Sequence, residues 1–291
     1  MRLGYNTNGL AHHRLLDAID LLAAEGYRSV ALTLDAGALD PYEDPSILSR
    51  QVGAVRSSLD RHGMARVIET GARFLLNPCM KHDPTLMDPD PARRAVRLDF
   101  LRRAIDLAKV LEAECVSLWS GHALDSINHE AGMDRLAQAL TPLLDHAEQA
   151  GMILAFEPEP GMFIDTLDRF DQLDQRLRHP LFQLTIDLGH VHCSSEGDIP
   201  TLLRQWQTRI MNIHIEDMVE NIHDHLMFGQ GTMDFAAICG ALREIGYGKG
   251  VHVELSRHSH MAVQAVRAAM AFLDPLIGPT KQRPIAALDR E

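Results

Sequence analysis

Short apolar runs alternate along this chain with longer segments whose apolar positions recur every three to four residues. The run RLGYNT at 2–7 is followed by 11–27, where Leu15, Leu16, Ile19, Leu22 and Ala23 fall at helical spacing and Gly26 closes the segment. The same couple keeps returning. Apolar runs at 29–34, 65–70, 114–119, 152–158, 182–187, 209–217 and 250–255 predict strands. The segments near 45–62, 91–112, 131–150, 165–177, 198–208, 234–246 and 260–274 predict the helices between and after them. Strands that are apolar throughout suit a parallel sheet covered on both faces. Eight such units in 291 residues predict an α/β protein with a (β/α)8 TIM barrel. A doubly wound open sheet is the alternative, and no G-x-G-x-x-G follows the first strand to support it. One domain is expected over 1–275. The tail 276–291 reads as a weakly ordered or partner-binding arm.

Composition narrows the class. Hydrophobic residues make up 46 % and aromatics 5 %, so Leu, Ile, Val, Ala and Met must fill most of the core. The formal charge of −12, with no Lys/Arg-rich run, makes general binding to nucleic acid unfavourable. Cys79, Cys115, Cys193 and Cys239 stand far apart with no CxxC pair, which fits a reducing compartment and argues against a thiolate zinc site. The segment MRLGYNTNGL has no long apolar stretch of a secretory signal, and no apolar run approaches the ~18 residues of a membrane span. A cytoplasmic protein without a membrane partner is expected. The sixteen histidines direct attention to metal binding.

In such a barrel the chemistry belongs at the C-terminal ends of the strands. The fifth strand ends AFEPEPG, giving Glu157; the sixth ends TIDLGH, giving Asp187 and His190. The seventh carries IHIED, giving His214, and the eighth ends VHVELSRH, giving Glu254. A single acid at a strand end is usually a helix cap or a loop residue. Four neighbouring strands that each offer a ligand are different, because converging buried carboxylates repel one another unless a cation joins them. The quartet Glu157, Asp187, His214 and Glu254 therefore predicts one divalent metal ion. Three carboxylates and one imidazole suit Mn²⁺, Mg²⁺ or Co²⁺, with Zn²⁺ as a further choice.

In their order and placement, FEPEPG, DLGH, HIED and the H-x-x-x-G-x-G of His225 to Gly231 resemble the xylose-isomerase-like barrel superfamily. That group includes ketose 3-epimerases, sugar isomerases, inosose dehydratases and endonuclease IV. The resemblance spans about residues 1 to 275. It implies metal ligands at Glu157, Asp187, His214 and Glu254, with Glu157 and Glu254 also exchanging protons with substrate. It implies a substrate contact at His190. The sequence departs from parts of the pattern. The strand-four histidine of endonuclease IV falls near Trp119, and its Asp-x-His pair falls on His223 and His225. The arginine that epimerases carry after the strand-seven histidine is absent; Glu220 or its neighbours stand there.

Further candidates surround the quartet. His225 is expected to line the site from a loop folded over it, and His223 to face solvent. Glu216 and Asp217 are expected in capping or supporting roles, and Glu159 behind Glu157. Glu69 and Arg73, in ETGARF, form an ion pair or meet substrate. Lys81 and His82 lie in a loop long enough to be a lid. Trp119 and Phe74 make either an apolar sugar wall or ordinary core. His122 in WSGH and Arg257 in SRHSH are further substrate contacts, while His260 begins the last helix. The resulting expectation is a metal-dependent isomerase or epimerase of a small sugar or polyhydroxy carbonyl compound, working by carboxylate proton transfer through a metal-stabilised enediolate. The alternatives are a metal-dependent lyase or dehydratase on a sugar, inositol or glycoside derivative, a phosphodiester hydrolase, and a metabolite-binding barrel without turnover. A homo-oligomer is left open.

Overall fold

The structure is a computed structural model that describes residues 1–277. The segment 278–291, and with it nearly all of the expected tail, lies outside the described residues.

The barrel strands are β1 (Arg2–Asn6), β2 (Ser29–Thr33), β3 (Ala65–Glu69), β4 (Val116–Leu118), β5 (Leu154–Phe156), β6 (Phe182–Asp187), β7 (Ile210–Ile215) and β10 (Gly250–Val253). They close in the order β1-β10-β7-β6-β5-β4-β3-β2, parallel throughout. Around them run α1 (Leu15–Ala24), α2 (Pro45–His62), α3 (Pro91–Leu111), α4 (His129–Ala150), α5 (Leu167–Leu177), α6 (Leu188–Cys193), α7 (Ile199–Trp206), α8 (Phe235–Glu244) and α9 (Ala262–Ile277). This is the expected (β/α)8 architecture.

Local chemistry starts the helices where polar side chains can take up free backbone N–H groups. Asp44, Asp90, Asn128, Thr166, Asp198 and Asp234 each cap the helix that follows, and Pro45 and Pro91 occupy first-turn positions that need no donor. The main core lies between the strands and the helices and is filled by Leu, Ile, Val and Met, with Phe156, Phe170, Phe182 and Trp206 packed together in one sector.

Three local expectations need correction. The fifth strand stops at Phe156 because Pro158 has no N–H to continue the ladder, so Glu157 stands just beyond the strand, its own N–H donated to the Leu118 carbonyl at 2.8 Å. The single helix expected after the sixth strand is two: α6 starts directly on Asp187, and α7 follows after a turn. The seventh strand ends at Ile215, and the presumed loop beyond it is an antiparallel hairpin of β8 (Asp217–Val219) and β9 (Ile222–Leu226). Asp217 supports the segment after that hairpin by accepting the N–H groups of Gly229 and Gly231, both at 2.8 Å, which is a supporting role as expected.

Candidate metal centre and active site

The C-terminal ends of the strands surround a cavity of about 500 Å³, lined among others by Glu69, Arg73, Trp119, Glu157, His190, His214 and Glu254. Glu157, Asp187, His214 and Glu254 each offer a ligand atom there, all within 4.8 Å of one another. The fold brings them together because they leave β5, β6, β7 and β10, which are neighbours in the wall. His214 is central. Its Nδ1 lies 3.0 Å from Glu157 Oε1 and 3.1 Å from Glu254 Oε2. Its Nε2 lies 2.9 Å from Glu69 Oε1.

Electrostatics follow from this crowding. Burial alone would lower the His214 pKa, but Glu157, Glu69 and Glu254 outweigh it and hold the imidazole well above its ordinary value. Burial pushes the Glu157 carboxyl well up, against the pull of His214. Burial acts in the same direction on Glu254, yet His214, His225 and His190 bring it far below the usual range. For Asp187 burial again opposes ionisation, and His190 and His225 overcome it. Burial brings His190 down to about 4.

The donor set fits a divalent cation. Asp187 Oδ1 is used, accepting the His190 N–H at 2.9 Å as the cap of α6, but Oδ2 is buried with no hydrogen-bond partner. Both oxygens of Glu216, fully buried, are likewise without partners. Buried carboxylate oxygens left in this way are costly unless a cation meets them. Overlapping groups extend the cluster: Asp187, Glu216, His225 and Glu254 form one, and His190, His223 and His225 another.

A family model described as a xylose isomerase-like TIM barrel matches residues 19–276. The chain belongs to that family. Within it, the chain is 26 % identical over 185 residues to L-ribulose-5-phosphate 3-epimerase of Shigella flexneri serotype 5b, covering 62 % of this chain and 64 % of that protein. It is 30 % identical over 138 residues to inosose dehydratase of Lacticaseibacillus casei, covering 42 % of this chain and 46 % of that protein. The chain thus spans less than two thirds of the length of these curated relatives. The solved structure of the IOLI protein with a binding zinc atom superposes with a TM-score of 0.75 at 19 % identity, covering 95 % of this chain and 98 % of that one. At that identity the likeness shows a shared fold.

The remaining residues of this xylose isomerase-like barrel divide into three sets. The first faces the cavity. His225 donates Nδ1–H to the Glu254 carbonyl at 2.9 Å, which turns its other nitrogen toward His190 and His223. His223, expected in solvent, is exposed on β9 yet brings Nε2 to 3.1 Å from His190 Nε2, because the hairpin folds it inward. Glu159, expected behind Glu157, also lines the cavity, and burial together with Glu254 and Asp187 pushes its carboxyl up to about 8. The second set forms the mouth. Arg73 is tied to the Asn8 carbonyl at 2.5 Å and lies 3.6 Å from Asp35 rather than pairing with Glu69. Arg257 pairs with Asp224 at 2.6 Å, and Phe74, Lys81 and His260 line the same rim. Trp119 forms part of the wall, with the buried guanidinium of Arg97 over its ring at 4.6 Å and His82 nearly perpendicular to it at 5.5 Å between ring centres.

The third set lies elsewhere. His122 is exposed, with Nδ1 2.6 Å from the Gly161 carbonyl, and does not line the cavity. Gly121, at φ +85°, turns the chain there and sends the next side chain outward. Sequence reasoning also missed Asn8, whose Nδ2 donates to Glu254 Oε1 at 2.6 Å. An asparagine in NTNG carries no signal beyond a turn; its role appears only when β1 closes against β10.

Proposed function

We propose that the chain is a divalent-metal-dependent epimerase or isomerase of a small sugar or related polyhydroxy carbonyl compound. The observation that carries this is the placement of Glu157 and Glu254 in one cavity, from β5 and β10 with two strands between them, on either contact of the same His214 nitrogen. Glu157, Asp187, His214 and Glu254 would hold a divalent ion, and when bound it would supply polarisation of a substrate carbonyl and so acidify the adjacent C–H. One of the two glutamates then removes the carbon-bound proton and the other supplies a proton from its own side of the substrate. His190, His225 and His223 face the hydroxyls, Trp119 offers an apolar wall, and Arg73 and Arg257 border the entrance. The epimerase relative supports this reading. The donor set suits Mn²⁺, Mg²⁺ or Co²⁺ and also Zn²⁺.

A second reading, dehydration, has its own support. Glu159 places a further carboxyl in the cavity outside the quartet, available to protonate a departing hydroxyl, and the inosose dehydratase relative matches part of the chain. Residues 1–275 act as one catalytic domain in either case. The four free cysteines, three of them buried, support a cytoplasmic setting. Among the described residues no helix is long and apolar enough to cross a membrane.

The test is incubation of the metal-loaded protein with a panel of ketoses and inososes in D₂O. Epimerisation or isomerisation places deuterium on a carbon next to the carbonyl; dehydration releases water and an unsaturated product. Glu157→Gln and Glu254→Gln are each expected to lower kcat by about 10²–10⁴-fold. Normal turnover by both variants would overturn the reading. A dehydration product that disappears in Glu159→Gln would select the second.

A further inference from the structure

We propose that Glu69 is a positioning residue for the metal ligand His214, itself steadied by a column of polar side chains running down the barrel interior. This rests on the proposed cation at the quartet. The two ring nitrogens of His214 have different surroundings. Nδ1 faces Glu157 and Glu254, while Nε2 points away from them to Glu69 Oε1 at 2.9 Å. A carboxylate in that place accepts an N–H and repels a lone pair. With a cation at the quartet taking the place of the Nδ1 proton, Glu69 would keep the remaining proton on Nε2 and so hold the Nδ1 lone pair toward the cation.

Glu69 ends β3, four strands round the barrel from β7, so its side chain reaches His214 across the axis. It is only 6 % exposed. Two residues before His214, on the same face of β7, Asn212 donates Nδ2–H to the same Glu69 oxygen at 3.0 Å. Asn212 Oδ1 accepts Nδ1–H of His252 at 2.7 Å, and His252 Nε2 accepts the Ser29 hydroxyl at 2.8 Å. Asn212 Nδ2 also lies 3.1 Å from His214 Nε2; with the Nε2 proton directed to the Glu69 carboxylate, the protons run from Ser29 to His252, from His252 to Asn212, and from Asn212 and His214 to Glu69.

The room for this line is built in. Barrel interiors are usually filled with branched aliphatic side chains. Here Gly4 on β1 and Gly250 on β10 flank His252, and a Cβ at either position would overlap the imidazole ring. A buried polar line is costly when any member lacks a partner and rigid when all are paired, as these are. Its upper end is the one carboxylate–imidazole contact that sets which His214 nitrogen is free for the quartet.

Calorimetric titration of the metal-free protein with Mn²⁺ and Zn²⁺ tests this. Glu69→Gln keeps the shape and removes the charge; affinity should fall about 10–100-fold with the stoichiometry unchanged. In the Zn²⁺-loaded protein, labelled with ¹⁵N-histidine, the slowly exchanging Nε2 proton of His214 should be present in the wild type and lost or shifted in the variant. Asn212→Ala, which leaves Glu69 in place but unsteadied, should weaken binding by a smaller factor; if Glu69→Gln does not fold, unchanged affinity in Asn212→Ala overturns the proposal. Wild-type affinity in a folded Glu69→Gln, accompanied by a raised KM, would overturn it and make Glu69 a substrate contact. A wild-type protein that binds neither cation would overturn the proposed function, and the role of Glu69 with it.

Discussion

The barrel interior holds polar groups at two levels, treated in opposite ways. Toward the opening, Asp187 Oδ2, His190 Nδ1 and both oxygens of Glu216 are buried with no hydrogen-bond partner. Deeper in, Ser29, Asn212 and His252 are completely buried, and every polar side-chain atom among them is paired. Both levels occupy the same strands; Asn212 and His214 lie on β7, His252 and Glu254 on β10 and just past it. The difference separates two uses of buried polarity. At the deeper level of the barrel interior, the groups that serve the fold are satisfied by the fold. Capacity left over at a strand end is capacity kept for a ligand.

The largest expected effect comes from cutting the two levels apart at His214. His214→Ala removes the nitrogen shared by Glu157 and Glu254 and leaves Glu69 facing a void. Affinity for Mn²⁺ or Zn²⁺ should fall by more than the ~10–100-fold typical of losing only a supporting carboxylate. Calorimetry on the folded variant checks this. Wild-type affinity would mean that the unpartnered groups near the opening serve something other than a cation.

Much of this contrast was legible in the sequence, but unevenly. Glu157, Asp187, His214 and Glu254 each close an apolar run, and four such endings on consecutive strands are visible as a period. Their neighbours carry no such mark. Glu69 also closes a strand, but its partner is found only across the axis, on a strand four places away. His252 sits inside VHVEL, where alternation assigns it a face and says nothing of Ser29, 223 residues earlier in the chain. His122 was misleading for the opposite reason: WSGH places it at a strand end, and one positive φ at Gly121 turns it to solvent. Periodicity reports which strand end a residue occupies. It does not report contacts made across a closed barrel, because those depend on the closure itself.

A second effect sharpens the comparison through pH. In the metal-free protein His214 is held well above its ordinary pKa, burial raises Glu157 well above its own despite the pull of His214, burial and then the charge of Asp187 raise Glu216, and Glu159 is raised to about 8. His214 stabilises the fold below its unfolded pKa, and that contribution is lost as pH rises through the folded value. The raised carboxyls act with the same sign, since the folded form holds protons that the unfolded chain has released. His190 and His252 are depressed, so their opposing contributions are complete above the unfolded histidine range near 6.5. Between pH 7 and 8 the net direction is therefore downward, by about 1.4 kcal/mol per pH unit for each proton retained only in the folded state. Thermal unfolding of metal-free protein should show this fall, and saturation with Mn²⁺ should flatten it. A flat metal-free profile would erase the distinction drawn for the upper level.

The smallest effect addresses the lower level alone. Ser29 gives its hydroxyl proton to His252 Nε2 at 2.8 Å in a site with no access to solvent. Ser29→Ala removes the donor and leaves a buried ring nitrogen unsatisfied, which costs about 1–3 kcal/mol. The other His252 nitrogen still donates to Asn212, so Glu69 and His214 keep their places. The melting temperature should drop while cation affinity stays close to that of the wild type. If affinity falls as steeply as in Glu69→Gln, the two levels are one mechanical unit, and satisfied polar groups in this barrel serve the site as directly as the unsatisfied ones above them. If only stability changes, the pairing at Ser29 belongs to the fold, and the functional part of the column begins at Asn212.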